Sequence, residues 1–336
     1  MKAYIYPKLG LENLTLVERD VPKPEAHHVL IQFHAASLNY RDLLFAYGQY
    51  NPKPNLPAIP LCDGAGEIVA LGEGVTRWKV GDRVFPIFMQ GWIDGPITNA
   101  KARTAIGAGE LDGTLCEYGA FHEEGLVRIP EHLSYNEAAT LPCAAVTAWH
   151  ALVSFGKIKP GDTVLTLGTG GVSVFALQFA KLFGARVIAT SSSDEKLARV
   201  RTMGADETIN YKRTPEWDRE VLRLTDKVGV DHVVEVGGAG TLPRSIHATR
   251  MEGLISLIGV LSRGEGVEPM KILMKSLLVK GILVGSREMF EAMNAAITKI
   301  SLKPVVDQVF GFGEATAALK RMESGSHFGK IVIEIG

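Results

Sequence analysis

Thr163-Val164-Leu165-Thr166-Leu167-Gly168-Thr169-Gly170-Gly171-Val172-Ser173 decides the fold of this chain. Its first five residues form an apolar run that reads as a buried strand. The run breaks at a glycine cluster and continues as a helical pattern through Phe175-Ala176-Leu177-Gln178-Phe179-Ala180-Lys181. Strand, glycine turn and helix in that order are the opening of a dinucleotide-binding unit. The glycines let the backbone turn sharply and approach a pyrophosphate, and the helix start offers unpaired N–H groups to its charge. Gly184-Ala185 closes the helix, and Arg186-Val187-Ile188-Ala189-Thr190 reads as the next parallel strand. The crossover length suits a right-handed βαβ unit. Ser173 stands where the motif expects a third Gly or Ala, and serine is small enough to keep helix and strand in contact.

The end of the second strand carries the cofactor choice. An NAD reader places Asp or Glu there, roughly 20 residues past the glycines, to hold the ribose 2′-hydroxyl. Here the chain reads Ser191-Ser192-Ser193-Asp194-Glu195-Lys196, with Ser191 at the place of the acid. A carboxylate repels a 2′-phosphate, whereas hydroxyls and an ammonium bind it. The expected cofactor is therefore NADP(H). The same serines also suit capping of a helix that starts near Asp194.

The 336 residues suffice for one large or two ordinary domains. A net charge of −1 with 22% charged residues implies neither a nucleic-acid nor a membrane-surface partner. No uninterrupted run of 18 apolar residues and no signal-peptide pattern at Met1-Lys2-Ala3-Tyr4-Ile5 is found, and Cys62, Cys116 and Cys143 do not make a disulfide framework. A soluble, reducing, cytoplasmic setting is the expectation.

The first third is expected to be β-rich, with strands near 2–6, 29–35, 65–71 and 83–88. Proline and glycine punctuate them at 22–24, 52–60 and 72–74. Val233-Val234-Glu235-Val236 and Leu254-Ile255-Ser256-Leu257-Ile258 read as further parallel strands, each ending in glycine, at the strand ends where open α/β sheets bind ligands. A helix near 313–323 and a strand at 330–335 close the chain. The segment 88–112 has no clear period, mixes aromatics with glycine, and reads as a lid or wall of a substrate cleft.

Several stretches together resemble the medium-chain dehydrogenase/reductase superfamily over essentially the whole chain. They are Ala36-Ser37-Leu38-Asn39-Tyr40-Arg41-Asp42, Asp63-Gly64-Ala65-Gly66-Glu67-Ile68-Val69, Val80-Gly81-Asp82-Arg83-Val84, Ala138-Ala139-Thr140-Leu141-Pro142-Cys143, Thr147-Ala148-Trp149, the glycine motif and Ile209-Asn210-Tyr211. The resemblance is strongest to zinc-independent quinone or enone reductases and alcohol-dehydrogenase-like members. It implies an α/β chain, with a Rossmann doubly wound parallel sheet at 128–285 and a β-rich GroES-like catalytic domain at 1–127 completed by 286–336, and a cleft between them. By matching position, Gly168, Gly170, Gly171 and Val172 meet the pyrophosphate and Thr147 lies near the nicotinamide ribose. Lys196 and Tyr211 join Ser191 and Ser192 at the 2′-phosphate, Gly259-Val260 flanks the nicotinamide, and Lys330 is a further pyrophosphate contact.

Zinc-dependent members use Cys, His and Cys as catalytic ligands; the positions here read Asn39, Cys62 and Cys143. Asparagine is a poor zinc ligand and the histidine is missing. The four-cysteine cluster of a structural zinc is absent from 88–112. No metal is therefore expected, although two thiols with Asp63 beside them leave a zinc reading open, and His150 reads as cleft lining or core rather than a substitute ligand. Without a Lewis acid, a conjugated C=C bond or a quinone is an easier hydride acceptor than an isolated carbonyl. Asn39 and Tyr50 are the candidates for polar contact with substrate, and Tyr40 and Asp42 for positioning or proton relay. Each has a structural alternative: Asn39 in a turn, Asp42 as a helix cap, Tyr50 as a wall.

Three functions remain open at this level. The leading one is an NADPH-dependent reductase of activated C=C bonds or quinones. The second is an alcohol dehydrogenase or carbonyl reductase, with or without zinc at Cys62 and Cys143. The third is an NADPH-binding structural or sensor protein without turnover. The run 280–286 reads as an apolar edge strand, which relatives pair across a two-fold axis, so a homodimer is expected.

Overall fold

Thr163–Leu167 and Arg186–Ser191 are parallel neighbours, in register from Thr163 opposite Arg186 to Leu167 opposite Thr190. They sit inside a six-stranded sheet whose order is Glu207–Asn210, Arg186–Ser191, Thr163–Leu167, Val230–Glu235, Thr249–Leu257, Leu278–Gly281. Every pairing in it is parallel. Counted along the chain this is the order 3-2-1-4-5-6, which reverses direction between Thr163–Leu167 and Val230–Glu235. The core under the sheet is built from Leu165, Ile188, Val233 and Ile255 with Trp217 and Ile246 from the covering helices. The last strand ends at Gly281, so the expected strand over 280–286 is shorter and begins earlier.

A seven-stranded, mostly antiparallel sheet carries the rest. His28–Ser37 is its hub, pairing with Asp63–Leu71, Tyr118–His122 and Lys330–Glu334. Arg83–Pro86, Leu126–Arg128 and Val306–Gly311 extend the two sides, the last parallel to Lys330–Glu334. Lys2–Ile5 and Thr15–Glu18 form a separate antiparallel pair.

This computed structural model describes residues 1–51, 53–262, 264 and 266–336; Pro52, within the expected proline punctuation, lies outside them. The chain divides into one unit made of Met1–Val146 with Gly285–Gly336 and a second made of Thr147–Val284. The division differs from a boundary at 127/128. The reason is packing: the helix Tyr135–Ala138 lies on His28–Ser37 and Asp63–Leu71, so residues 128–146 stay with the antiparallel sheet. The helical stretch Tyr135–Phe155 is 21 residues long with mean hydropathy 1.3, and 72% of its most apolar window is buried within the protein. It is apolar enough in composition to span a membrane although the sequence lacks an unbroken apolar run, and its burial is that of a core helix. Leu141–Ala145 and His150–Phe155 within it are π-helical turns.

The segment 88–112 is tied down rather than loose. Gln90 and Gly91 donate to Thr104 at 3.1 and 2.8 Å, and the Trp92 indole donates to the Gly95 carbonyl at 2.9 Å.

Candidate functional site

In the second unit the candidate nucleotide site lies at the carboxyl ends of the parallel strands. Gly168 follows the first strand with φ +71°, a conformation that disfavours any side chain although nothing crowds the position. Its N–H is held by Thr190 Oγ1 at 3.3 Å, joining the first two strand ends. Gly170 precedes the helix Gly171–Leu182, and no side chain caps that start. The N–H groups of Gly171, Val172 and Ser173 thus open the helix with the charge of its dipole behind them. Ser173 is buried and donates to the Leu167 carbonyl at 2.6 Å, so its hydroxyl tethers helix to strand.

At the second strand end, Ser191 is buried and its Oγ accepts from the Ser193 N–H at 3.3 Å. Ser193 caps the helix Asp194–Thr202 by accepting from the Lys196 N–H at 3.4 Å. The capping role of the serine run is realised by Ser193, while Ser192 and the half-exposed Tyr211 remain at the rim. The Tyr211 N–H donates to the Ser191 carbonyl at 3.0 Å, which brings both together. Asp194 does not stand as an uncompensated charge: Asn210 Nδ2 donates to it at 2.8 Å, and Arg213 forms an ion pair with it. Sequence reasoning missed Arg213, whose signal is only its place two residues after Tyr211.

Two further loops meet at neighbouring strand ends. A Cβ on Gly259 would lie 1.8 Å from the Val236 carbonyl oxygen, so only glycine fits where the two loops touch. Val260 beside it is exposed. Glu235, wholly buried, organises the first loop: its carboxylate accepts from the N–H groups of Gly237 and Gly238 at 2.8 and 3.0 Å, from Thr241 Oγ1 at 2.6 Å and from the Ser245 hydroxyl. Thr147 is buried at the start of the unit. His150 is buried with Nδ1 2.7 Å from the Val284 carbonyl, and burial lowers its pKa, so it behaves as a neutral core imidazole.

In the first unit the register of three adjacent strands creates a polar cluster. Ser37, ending His28–Ser37, faces Asp63 on one side and Val332 on the other. The antiparallel pairing therefore brings Leu38 and Asn39 between the beginnings of Asp63–Leu71 and Lys330–Glu334. Lys330 is 3% exposed, and its Nζ donates to the Leu38 carbonyl at 2.5 Å, Asn39 Oδ1 at 2.7 Å and Asp63 Oδ2 at 3.2 Å. An ammonium has three N–H donors, so these three acceptors occupy them all. Lys330 is not a pyrophosphate ligand here; it is the buried counter-charge of Asp63.

Asn39 is spent in the same network. Its Nδ2 donates to Asp63 Oδ2 at 2.9 Å and approaches Cys62 Sγ at 3.6 Å, while its Oδ1 serves Lys330. It orients the cluster instead of reaching for substrate. Asp42 accepts the Asn39 N–H at 2.7 Å, closing the first turn of the helix Tyr40–Ala46, so its capping alternative holds. Burial raises the Asp42 carboxyl to about 6 against the pull of Arg41 and the Asn39 N–H. Burial likewise raises Asp63, opposed by Lys330 and Asn39. Tyr40 is 42% exposed at the helix start and joins none of these bonds.

The sulfurs of Cys62 and Cys143 and a carboxylate oxygen of Asp63 lie within 4.8 Å of one another. Burial, then the hydrogen bond with Cys143 and the charge of Asp63, push the Cys62 thiol well up. A second buried cation flanks them. Arg41 donates from both terminal nitrogens, each at 3.1 Å, to the carbonyls of Ile106 and Gly107. Burial opposes its charge, but the Asp42 carboxylate beside it helps hold it protonated. The guanidinium lies 4.7 Å from the Tyr50 ring centre and 5.0 Å from that of Phe88. Arg41 thereby pins the 88–112 segment to the helix that carries it, a role with no local sequence signature. Tyr50 is the one candidate catalytic residue left at the edge of the cluster with its ring partly exposed.

Residues 25–131 match the model of the alcohol dehydrogenase GroES-like domain, and residues 171–299 match that of the zinc-binding dehydrogenase. A zinc-type alcohol dehydrogenase-like protein of Schizosaccharomyces pombe is 45% identical over 337 residues, covering 97% of this chain and 96% of that protein. The crystal structure of an NAD-dependent alcohol dehydrogenase matches with TM-score 0.92 at 35% identity over 100% of both chains. The quinone oxidoreductase of Coxiella burnetii matches with TM-score 0.82 at 27% identity, covering 100% of this chain and 99% of that one. The chain belongs to the medium-chain dehydrogenase/reductase family and is an NAD(P)-dependent oxidoreductase of that type.

Proposed function

We propose that this oxidoreductase uses NADPH to reduce a conjugated C=C bond or a quinone, without catalytic zinc. The observation that carries the reading is the pair of buried cations, Arg41 and Lys330, set against Cys62 and Asp63. Zinc needs deprotonated thiolates and free carboxylate lone pairs. Here Asp63 Oδ2 already serves Asn39 and Lys330, and Asn39 stands where a third good ligand would be needed. A divalent ion at these residues would add charge beside a guanidinium and an ammonium. The donor set does not fit a zinc centre, so no step is routed through one.

When bound, NADPH supplies the hydride. The chain then has to orient the acceptor, stabilise charge on its conjugated oxygen and deliver a proton. Tyr50 carries the donor role: enclosure by the surrounding chain raises its phenol, while Arg41 beside the ring works against that rise and favours the phenolate left after proton transfer. Asn39, Asp63 and Lys330 act as the fixed floor that holds Cys62 and the Arg41 helix in place. For the cofactor, the absence of an acid at Ser191, the neutralised Asp194, and the cations Lys196 and Arg213 with Ser192 and Tyr211 all favour a 2′-phosphate. A homodimer is supported by the edge strand Leu278–Gly281 and by exposed Met270, Leu273, Met274 and Leu283 near it in the chain.

One observation favours a second reading, oxidation of an alcohol with metal at Cys62, Asp63 and Cys143: their ligand atoms do converge within 4.8 Å. Incubation with a simple α,β-unsaturated aldehyde and either NADPH or NADH separates the two. A saturated aldehyde formed preferentially with NADPH supports the proposal. An unsaturated alcohol, with activity lost to a chelator, overturns it in favour of the metal reading. NADPH binding with no product across a panel of enones, quinones and aldehydes overturns both and leaves a sensor.

A further inference from the structure

The convergence of Cys62 and Cys143 has a chemistry of its own. Neither is in a disulfide, their sulfurs lie no more than 4.8 Å apart, and a hydrogen bond joins them. Cys62 is wholly buried at the start of Asp63–Leu71; Cys143 is partly exposed within the π-helical turn Leu141–Ala145. The third cysteine, Cys116, is buried outside this cluster, its thiol directed at the Tyr118 carbonyl at 3.2 Å. A disulfide needs an S–S distance of about 2.0 Å and Cβ atoms roughly 3.5–4.5 Å apart.

We propose that Cys62 and Cys143 form a reversible disulfide when the protein meets a hydroperoxide, and that this bond switches the site off. The order of events follows from exposure. Cys143, the accessible thiol, attacks the peroxide: Cys143–SH and ROOH give Cys143–SOH and ROH. Cys62 Sγ then attacks the sulfenic sulfur, the S–O bond breaks, and the hydroxide leaves as water with the Cys62 proton. Asp63 Oδ1, 3.7 Å from Cys62 Sγ, is placed to take up and pass on that proton. Two thiols lose two electrons and the peroxide gains them, so the balance closes with ROH, water and one disulfide. The bond draws Cys62 away from Asn39 Nδ2 and Asp63 and ties the turn Leu141–Ala145 to the sheet. A dithiol reductant reverses it.

The bond itself is independent of the reductase reading; only its effect on turnover rests on that reading. The full chain is treated with hydrogen peroxide, then denatured and digested without reductant. The expected result is a mass loss of two hydrogens, a fall from three titratable thiols to one, and a peptide link between Cys62 and Cys143 that dithiothreitol breaks. NADPH-dependent turnover should drop roughly tenfold or more on oxidation and return on reduction. The variant Cys143→Ala should lose peroxide sensitivity measured against its own untreated rate. Retention of all three thiols, a sulfinic acid on Cys143, or a link through Cys116 overturns the disulfide. A disulfide that forms without changing turnover overturns the switch. The mass and thiol readouts need no substrate, so failure of the proposed reaction leaves them decisive.

Discussion

The nucleotide loop of the second unit and the polar cluster of the first are built by opposite means. The loop is local: a strand end, glycines and an uncapped helix start within the stretch from Thr163 to Ser173. Its donors are backbone N–H groups left open by geometry. The cluster is non-local. Asn39 and Arg41, Cys62 and Asp63, Cys143 and Lys330 come from four separate parts of the chain; the register of three antiparallel strands brings all but Cys143 together, and the helical turn Leu141–Ala145 adds that one. Its charges are side chains that satisfy each other in the interior. The loop offers unpaired groups to a ligand; the cluster has already spent most of its own. A charge removed from the cluster should therefore cost far more stability than a hydroxyl removed from the loop.

The largest effect is expected for Lys330→Met. The methionine preserves bulk but removes the counter-charge of Asp63 and leaves Asn39 Oδ1 and the Leu38 carbonyl without the ammonium donor, in a site where Lys330 is 3% exposed. Breaking one partner out of a buried pair costs about 3–5 kcal/mol. Urea unfolding of variant and parent reads the difference. A loss below about 1 kcal/mol would mean the ion pair is no more than a surface bridge in effect, and the contrast between the two regions would fail.

Asp42→Asn sharpens the same contrast through pH. The Asp42 carboxyl titrates at about 6 in the fold against an ordinary 3.8, so the folded state holds this proton more tightly than the unfolded chain does. That contribution is complete below about pH 3.8, fades as pH rises, and is gone above about 6. Two units correspond to about 3 kcal/mol as an upper bound. Asparagine removes the titration, so stability of the variant relative to the parent should rise from pH 4 to pH 7 by up to that amount. Unfolding at both pH values measures it, and the difference between them is free of any constant loss from weakening Arg41. Parallel pH profiles for the two proteins would place Asp42 in contact with water.

The two regions also differ in how much the sequence reveals. The strands Thr163–Leu167, Arg186–Ser191, Val230–Glu235 and Thr249–Leu257, the turn at Gly168 and the loop glycines Gly238 and Gly259 follow from short-range pattern, because apolar runs mark strands and a positive φ or a close backbone approach leaves glycine in the sequence. Lys330 shows the limit. Read along the chain it is a basic residue opening a strand, available for phosphate; only the pairing of Val332 with Ser37 and of Ser37 with Asp63 brings its ammonium to a buried carboxylate. Asn39 was legible as polar and near the site, but not as an amide whose two ends are both engaged. Arg41 gives no signal of its contacts, since its partners are backbone carbonyls of Ile106 and Gly107, which no residue type announces. The compact unit runs past the boundary expected near 127 for a related reason: the helix Tyr135–Ala138 packs on the antiparallel sheet, and packing is not written in composition.

The smallest effect separates packing from binding inside the loop itself. Ser173 occupies the third glycine position and spends its hydroxyl on the Leu167 carbonyl at 2.6 Å. Ser173→Ala keeps a small side chain at the helix–strand contact, where the motif accepts alanine, and removes one hydrogen bond worth about 1 kcal/mol. The expected result is that modest loss in unfolding free energy with NADPH affinity unchanged in a fluorescence titration, because the anion is met by backbone N–H groups that the substitution leaves intact. A roughly tenfold loss of affinity, about 1.4 kcal/mol, without loss of stability would instead make the hydroxyl a ligand of the phosphate. The loop would then share the character of the cluster: a site built from side chains, which here happened to be adjacent in sequence.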